Sequence, residues 1–486
     1  MNKINVCVIA LLLLVLINRS IQAQSFPGYT YDRYSGIVGA RVQPANLAEL
    51  PFKFDLALVG INAYFDNNYF TLRRSEEDFS RYVFTELRNR DPKYAFFTNE
   101  VLLPSFAFRL SLKHSLGFTA RVRTIANANM TGTLSQIVAN DFTIPPSALN
   151  SFSNQNFDFT TMSWQEYGLS YAWLVKDRGI DKIKAGATLK LLKGNGAAFV
   201  NLNDFGFTVA DQQQVEVTNL DLSYGYSDNF DGLENNGYRW KASKGFNLGL
   251  DFGIVYERFP YRRHLSSPLL KKQSEIGDPD DKKNQYKYRI SLAITDIGRL
   301  KFSYGQHSGR SNQLLPSATD FNIPAKLRGI ESTQELFDSL ATVIDLQRLN
   351  GDFSVGLNTA FRTNFDYHVR DHFFLNAELM LPLKIFKWSD QKVFEPMALT
   401  ITPRWEKRWL GAYAPLYIND KGRINPGLGV RAGPLVLGVH DIATALSRKN
   451  FRSGGAFFVL KLSLPFSKEK SELECIDHQI WKRDNK

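Results

Sequence analysis

Three arginines, Arg109, Arg121 and Arg123, lie on two alternating runs that meet at His114-Ser115. A tight hairpin there would set Arg109 roughly opposite Thr119–Arg121, so long cationic side chains converge. Converging guanidinium groups repel one another unless an anion or a carboxylate neutralises them. Glu166 lies on the same polar parity of a later run, as do Lys184 and Arg289. Counted over the alternating runs, this face carries Arg109, Lys113, Arg121, Arg123, Lys184, Lys190, Lys287, Arg289 and Arg362 against Glu166, Asp251, Glu257 and Glu378. Two kinds of chemistry fit a face of this sign. One is electrostatic attraction of anionic or carboxylated amphiphiles, held bidentately by arginine. The other is a set of salt bridges, with Glu166 or Glu49 as partners, that brace a wall.

Other reactive arrangements are poor. His368 and His372 have i,i+4 spacing but flank a β-turn at Arg370-Asp371, where the spacing does not converge on a metal. Asp278-Pro279-Asp280-Asp281 is followed directly by Lys282 and Lys283, which suits a solvated loop better than a calcium site. Gly194-Asn195-Gly196 reads as a hairpin turn, since neither a helix nor Lys-Ser follows it. No Ser-His-Asp or paired-carboxylate set can be assembled, so no enzyme, metal or cofactor is expected. The formal charge of +11 is spread along the chain without a basic tract suited to nucleic acid. Cys7 and Cys475, the two cysteines, make no disulfide framework.

The elements that carry these residues are strands. Tyr167, Leu169, Tyr171 and Trp173 alternate with polar neighbours, as do Ile183–Leu191, Phe246–Tyr256, Tyr288–Ile294, Phe353–Phe361 and Phe373–Leu379. Runs of about 9–13 residues are long for globular strands and right for tilted membrane strands. Short connections are expected at His114-Ser115, Asp177-Arg178-Gly179, Asp296-Ile297-Gly298, Arg370-Asp371 and Gly433-Pro434. Long ones cover roughly 66–100, 126–163, 258–285 and 307–350, with helical patterns at Glu76–Arg90 and Ser332–Leu349. Outer-membrane barrels sort their connections by length in this way, whereas a soluble sandwich with the same alternation has no reason to.

Residues 1–23 read as a cleaved secretory signal: Lys3, an apolar run from Val6 to Ile17, then Ala23 before the cut. That run falls short of the ~18–20 residues that span a bilayer as a helix. The expectation is therefore an all-β protein, a transmembrane antiparallel up-and-down β-barrel of fourteen to sixteen strands. It comprises an N-terminal segment over 24–51, the barrel over 52–466 and a solvated tail over 467–486. Membrane lipid is the expected partner of the apolar face, with long loops free to dock other proteins.

Gln43-Pro44-Ala45-Asn46, ahead of the first alternating run, resembles the Asn-Pro-Ala segment of FadL-type long-chain fatty-acid transporters, with Gln43 in place of Asn. Asn425 through Gly438 is similar to the closing region of an uncharacterised outer-membrane barrel family found alongside type IX secretion. The resemblance implies fourteen strands, an outer-membrane location and a hatch inside the lumen that includes Gln43, Pro44, Ala45 and Asn46. Within that superfamily two functions are expected: a narrow channel for small hydrophobic or anionic amphiphiles, or a non-transporting scaffold for secretion or envelope proteins.

Overall fold

The computed structural model describes residues 26–74, 82–87, 89, 91–139, 151–209, 215–231, 245, 247–260, 285–312, 345–383, 389–420, 422–446 and 452–464. The signal segment, the tail with Cys475, the acidic cluster at 278–281 and most of the Ser332–Leu349 pattern lie outside those residues.

Collinear strand segments combine into fourteen staves. They are β1 (Phe54–Asn67), β2 (Lys93–Leu102 and Ser105–Arg109), β3 (His114–Met130), β4 (Ser151–Asp177), β5 (Asp181–Val209), β6 (Val215–Tyr226 and Asn247–Arg258) and β7 (Tyr288–Ser303 and Gly309–Ser311). They continue with β8 (Gln347–Arg348, Asp352–Gly356 and Ala360–Arg370), β9 (Phe373–Pro382), β10 (Ala398–Glu406), β11 (Leu410–Tyr413 and Leu416–Asn419), β12 (Ile424–Pro426 and Leu428–Ala432), β13 (Leu435–Val439) and β14 (Ser453–Leu464). Each stave pairs antiparallel with the next. β1 pairs with β2 on one side and with β14 on the other, from Phe54↔Leu464 to Asp66↔Ser453. The sheet therefore closes on itself, and closure removes the free edges that an open sheet would present.

The alternation places apolar side chains outside. On the lower part of β6, Leu248, Phe252 and Ile254 are 61%, 48% and 56% exposed, while Asp251 between them is fully buried. The same inversion holds on β4, where Leu169 faces out and Glu166 and Ser170 face in. A soluble sandwich would hide these leucines; this wall hides its charges instead.

Several expected connections are placed differently. His114 and Ser115 already belong to β3, and the turn falls on Leu110–Lys113, so Arg109 pairs with Ser115 rather than with Thr119–Arg121. Asp296-Ile297-Gly298 is a bulge inside β7, not a turn: Asp296 has φ 60° and the partner register slips between Leu250 and Phe252. Gly194-Asn195-Gly196 is likewise a bulge within β5, opposite Ser163-Trp164. Turns and bulges draw on the same Gly, Asn and Asp chemistry, which is why the two were confused. The helical pattern at Glu76–Arg90 contains instead the strand Tyr82–Glu86, paired with Phe70–Arg74. The 126–163 connection shrinks to 131–150 and carries a helix, Gly132–Ala139. Connection lengths are only partly sorted: 259–287 lies at the end that otherwise carries the tight turns 110–113, 178–180, 371–372, 407–409 and 433–434, and the opposite end has the short connections 210–214 and 420–423. Val215–Tyr226 is the upper half of β6.

Candidate functional site: an ion-paired lumen holding the N-terminal segment

Residues 26–50 lie within the ring, and nearly all are buried. Pro44 opens a 3-10 turn over Pro44–Leu47, where its missing N–H costs nothing, and the Gln43 side chain accepts from the Ala45 N–H. The Gln43 amide then donates to the carbonyls of Leu292 (3.0 Å) and Ile254 (3.3 Å) on the wall. The turn seats against Gly186 of β5 and Gly253 of β6, which pair directly. A Cβ on Gly186 would lie 2.5 Å from the Ala45 nitrogen, and one on Gly253 would overlap the Gln43 side-chain oxygen. Only glycine lets the segment approach this closely. Gly253→Val should displace it, seen as faster amide exchange or protease cleavage within 26–50 while the wall strands stay protected.

Charges anchor the rest of the segment. Arg33 pairs with Glu406 at 3.0 Å, Asp32 with Arg431 at 3.3 Å, and Arg41 with Glu100. The Lys461 ammonium donates to the Tyr34 carbonyl (2.6 Å) and Arg289 to that of Tyr31 (2.7 Å). Asp55 accepts from the Ile37 N–H at 2.8 Å and pairs with Lys461 at 2.6 Å, so β1 and β14 grip the segment where the ring closes. Glu49 pairs with Lys184 at 3.2 Å and with Lys182. Burial raises the Glu49 carboxyl, but Lys184 and Lys182 outweigh it and hold it down to about 2. The sign follows from a depressed folded value: this anchor contributes in full above the ordinary 4.5 and is lost as pH falls towards 2. Glu49→Gln should therefore be less heat-stable than the parent at neutral pH, with the gap closing between those two values.

Above the segment the wall charges form a lattice. Arg121 reaches Glu166 (Nε–Oε1 2.9 Å) and Glu100 (3.3 Å). Arg123 lies over the Trp164 ring and pairs with Asp296 (2.9 Å) and Glu395 (3.2 Å). The Lys190 ammonium sits among Asp251 (2.7 Å), Asp296 (2.7 Å) and Glu166 (3.3 Å). Lys184 also meets Glu257 at 2.8 Å, Arg289 meets Asp366 at 2.9 Å, and Arg362 meets Glu378 at 3.2 Å.

Of the cations singled out in the sequence, Arg121, Arg123, Lys184, Lys190, Arg289 and Arg362 thus line the lumen with buried carboxylate partners. Arg109 stands apart near the turn, half-buried, its N–H bonded to the Lys53 carbonyl. Lys113 and Lys287 are exposed at the turn end. The expected basic excess is not found, because Asp55, Glu100, Asp366 and Glu406 on the strands, Asp296 in a bulge and Glu395 in a connection add acids, while Asp32 and Glu49 of the N-terminal segment are matched by its Arg33 and Arg41. Glu100 could have been found from its parity opposite to Phe97 and Val101, which face outward on β2; Asp296 could not, because the bulge shifts its parity.

Residues 44–439 match the family of unknown function DUF5723. The chain belongs to this family. No curated protein sequence matches the DUF5723 chain. Among solved structures it is similar to a FadL homologue of Pseudomonas aeruginosa, at 10% identity over 92% of this chain and 100% of that one, with a TM-score of 0.41. It is also similar to the toluene transporter TodX of Pseudomonas putida (7% identity, 86% and 91% covered, TM-score 0.29). The translocator domain of the autotransporter NalP from Neisseria meningitidis is a further likeness (8% identity, 83% and 87% covered, TM-score 0.23). Likenesses at these scores carry no inference, so the ring of this DUF5723 protein rests on its own strand pairings.

Proposed function

We propose that this is an integral outer-membrane barrel that stands closed, with its N-terminal segment as a fixed hatch, and that it works as a binding or scaffolding barrel. The observation that carries this reading is the lumen lattice. Arg121 and Arg123 already have protein carboxylates, so an anionic ligand would have to displace buried partners. The outward apolar belt supports the membrane setting, since lipid solvates such a surface where water does not. The signal-like leader and the tight-turn end, where β1 begins, fit a chain exported to the periplasm and inserted from there.

Partners have a surface to meet. A tilted membrane strand needs about 9–11 residues, but β4 and β5 run for 27 and 29. On β4 the apolar outer face Tyr167–Trp173 gives way upward to Gln165 and Ser163. A polar row crosses the outer face here: Thr124 bonds Ser163 at 3.1 Å, and Asn195 accepts from Gln165 at 3.0 Å, with a further apolar patch of Phe97, Ala126, Ala128 and Phe159 above it. Beyond that row the sheet continues into the outer space. Liposomes carrying the purified protein should not swell in small solutes; swelling would overturn the closed reading.

A second reading, passage of a small hydrophobic molecule through the wall, is favoured by one sector. Pro415 lies at the break in β11 and Pro426-Gly427 at the break in β12, with Pro403 inside the neighbouring β10, and proline donates no ladder hydrogen bond. Beside them an apolar groove of about 490 Å³ is lined by Ile61, Leu428, Val430, Leu437 and Phe458. Inside, the Phe457 ring lies against Gly429 and Gly438. Under this reading Phe457→Ala admits a hydrophobic dye to liposomes; under the scaffold reading it does not.

A further inference from the structure

The turn between β10 and β11 lies in the stretch Trp405-Glu406-Lys407-Arg408-Trp409. Glu406 is buried in the lumen, where it pairs with Arg404 and Arg33. The other four side chains belong to the outside. Trp405 lies on the outer parity of β10, opposite Phe373 of β9, and Lys407 and Arg408 are exposed. Trp409 is 63% exposed and Leu410 49%. Each cation stays near an indole: the Lys407 ammonium lies 5.3 Å from the Trp405 ring, and the Arg408 guanidinium 5.9 Å from that of Trp409.

This turn is held more firmly than chain reversal requires. The Lys407 N–H donates to the Leu410 carbonyl at 2.8 Å and closes it. The buried Arg431 of β12 donates to the carbonyls of Lys407 (2.7 Å), Arg408 (2.9 Å) and Leu410 (3.3 Å). The Gly433 N–H donates to that of Trp409 at 2.7 Å, so every carbonyl from 407 to 410 is engaged. Arg431 is itself fixed by Asp32 of the N-terminal segment. A ligand gains most from cations whose backbone is already in place, because little ordering is left to oppose binding.

Charge separates this turn from others at the same end. At 178–180, Arg178 is accompanied by Asp177, and Asp181 meets Arg258 at 3.0 Å. At 371–372, Asp371 follows Arg370. Turn 407–409 presents two cations outside, while the acid of its stretch faces the lumen. Indoles favour the boundary between hydrocarbon and headgroups, and cationic side chains beside them reach lipid phosphates. The outer apolar wall continues from Leu410 through Val430 and Leu428 of β12. An acidic protein segment would be met by the charges alone, whereas acyl chains also cover Trp409 and Leu410.

We propose that Lys407 and Arg408, between Trp405 and Trp409, bind the headgroup phosphate of an anionic phospholipid in the leaflet at this end of the barrel. The inference rests on the membrane reading. Its test is native mass spectrometry of the full-length protein, purified from membranes in detergent and offered equal amounts of phosphatidylglycerol and phosphatidylcholine. Phosphatidylglycerol should be retained in preference. Lys407→Gln with Arg408→Gln should weaken that retention by roughly fivefold for each cation lost. Lys176→Gln with Arg178→Gln removes the same charge beside Asp177 and should weaken it less than about twofold. Unchanged mobility on unheated gels checks that both variants fold; Arg408→Gln alone, expected to lose about fivefold, replaces a double variant that does not. Equal losses in the two double variants would overturn the site in favour of diffuse rim charge. Displacement of the bound lipid by equimolar polyglutamate would overturn it in favour of an acidic protein partner. Equal retention of both lipids would overturn the site and leave the membrane reading standing, provided that the parent inserts into phosphatidylcholine vesicles. Failure to insert there would overturn both.

Discussion

Replacing Asp296 by alanine is expected to destabilise the barrel by about 3–5 kcal/mol, the cost of removing one partner from a buried ion pair. Its carboxylate faces Arg123 and Lys190 at 2.9 and 2.7 Å, and its N–H donates to Asp251 at 2.7 Å. Truncation leaves two buried cations with fewer anions around them. The backbone adds a second effect, because Asp and Asn tolerate the left-handed φ of 60° better than alanine does. Asp296→Asn separates the two: it keeps the backbone preference and loses only the charge, so it should fall between parent and alanine. Combining Asp296→Asn with Lys190→Met removes one charge of each sign and should recover part of the loss. Urea unfolding of lipid-reconstituted protein gives all these values. A loss below about 1 kcal/mol for the alanine variant would mean that the lumen is wet and the lattice weak, as exposed pairs are.

The wall was legible because its rule is local. Period-two alternation on Leu248–Ile254 or Tyr167–Trp173 states which side chains share a face, and an apolar outer face over a charged interior keeps that rule along those strands. The fourteen staves were less legible, since the resemblance supplied the number that periodicity left between fourteen and sixteen. Where the rule breaks, sequence reasoning broke with it. Asp296 and Asn195 sit in bulges, and a one-residue insertion flips the parity of everything beyond it. The sign of the lumen was misjudged in part because Glu100, Asp366 and Glu406, on regular strands, were left out of the count. The other part has a related cause, since its acids include Asp296 from a bulge and Glu395 from a connection. Long-range charge pairing of that kind leaves no spacing to read. Gln43-Pro44-Ala45 stood out in the sequence by its resemblance, but its glycine seat did not, because Gly186 and Gly253 become neighbours only when β5 pairs with β6.

Leu292 and Ser291 give the sharpest test of which face meets lipid. They are consecutive on β7, yet Leu292 is 45% exposed on the outer wall and Ser291 is 2% exposed towards the lumen. Ile254 lies directly across from Leu292 on β6 and Thr363 across on β8, so the position is flanked by paired strands on both sides rather than near a turn. Leu110, which alternation alone would rank beside it, lies in the turn at the barrel end and is a poor probe of the midplane. Leu292→Arg should cost about 2–4 kcal/mol, the penalty for a guanidinium at the bilayer centre of a barrel. Ser291→Ala removes one lumen hydroxyl and should cost about 1 kcal/mol or less. Refolding into lipid vesicles under urea measures both. In detergent micelles, which deform around a charge, the Leu292→Arg penalty should shrink while the Ser291→Ala effect stays the same. If Leu292→Arg is harmless in vesicles, the outer face is in water and the membrane reading falls. If Ser291→Ala costs more than Leu292→Arg, the faces of β7 are inverted.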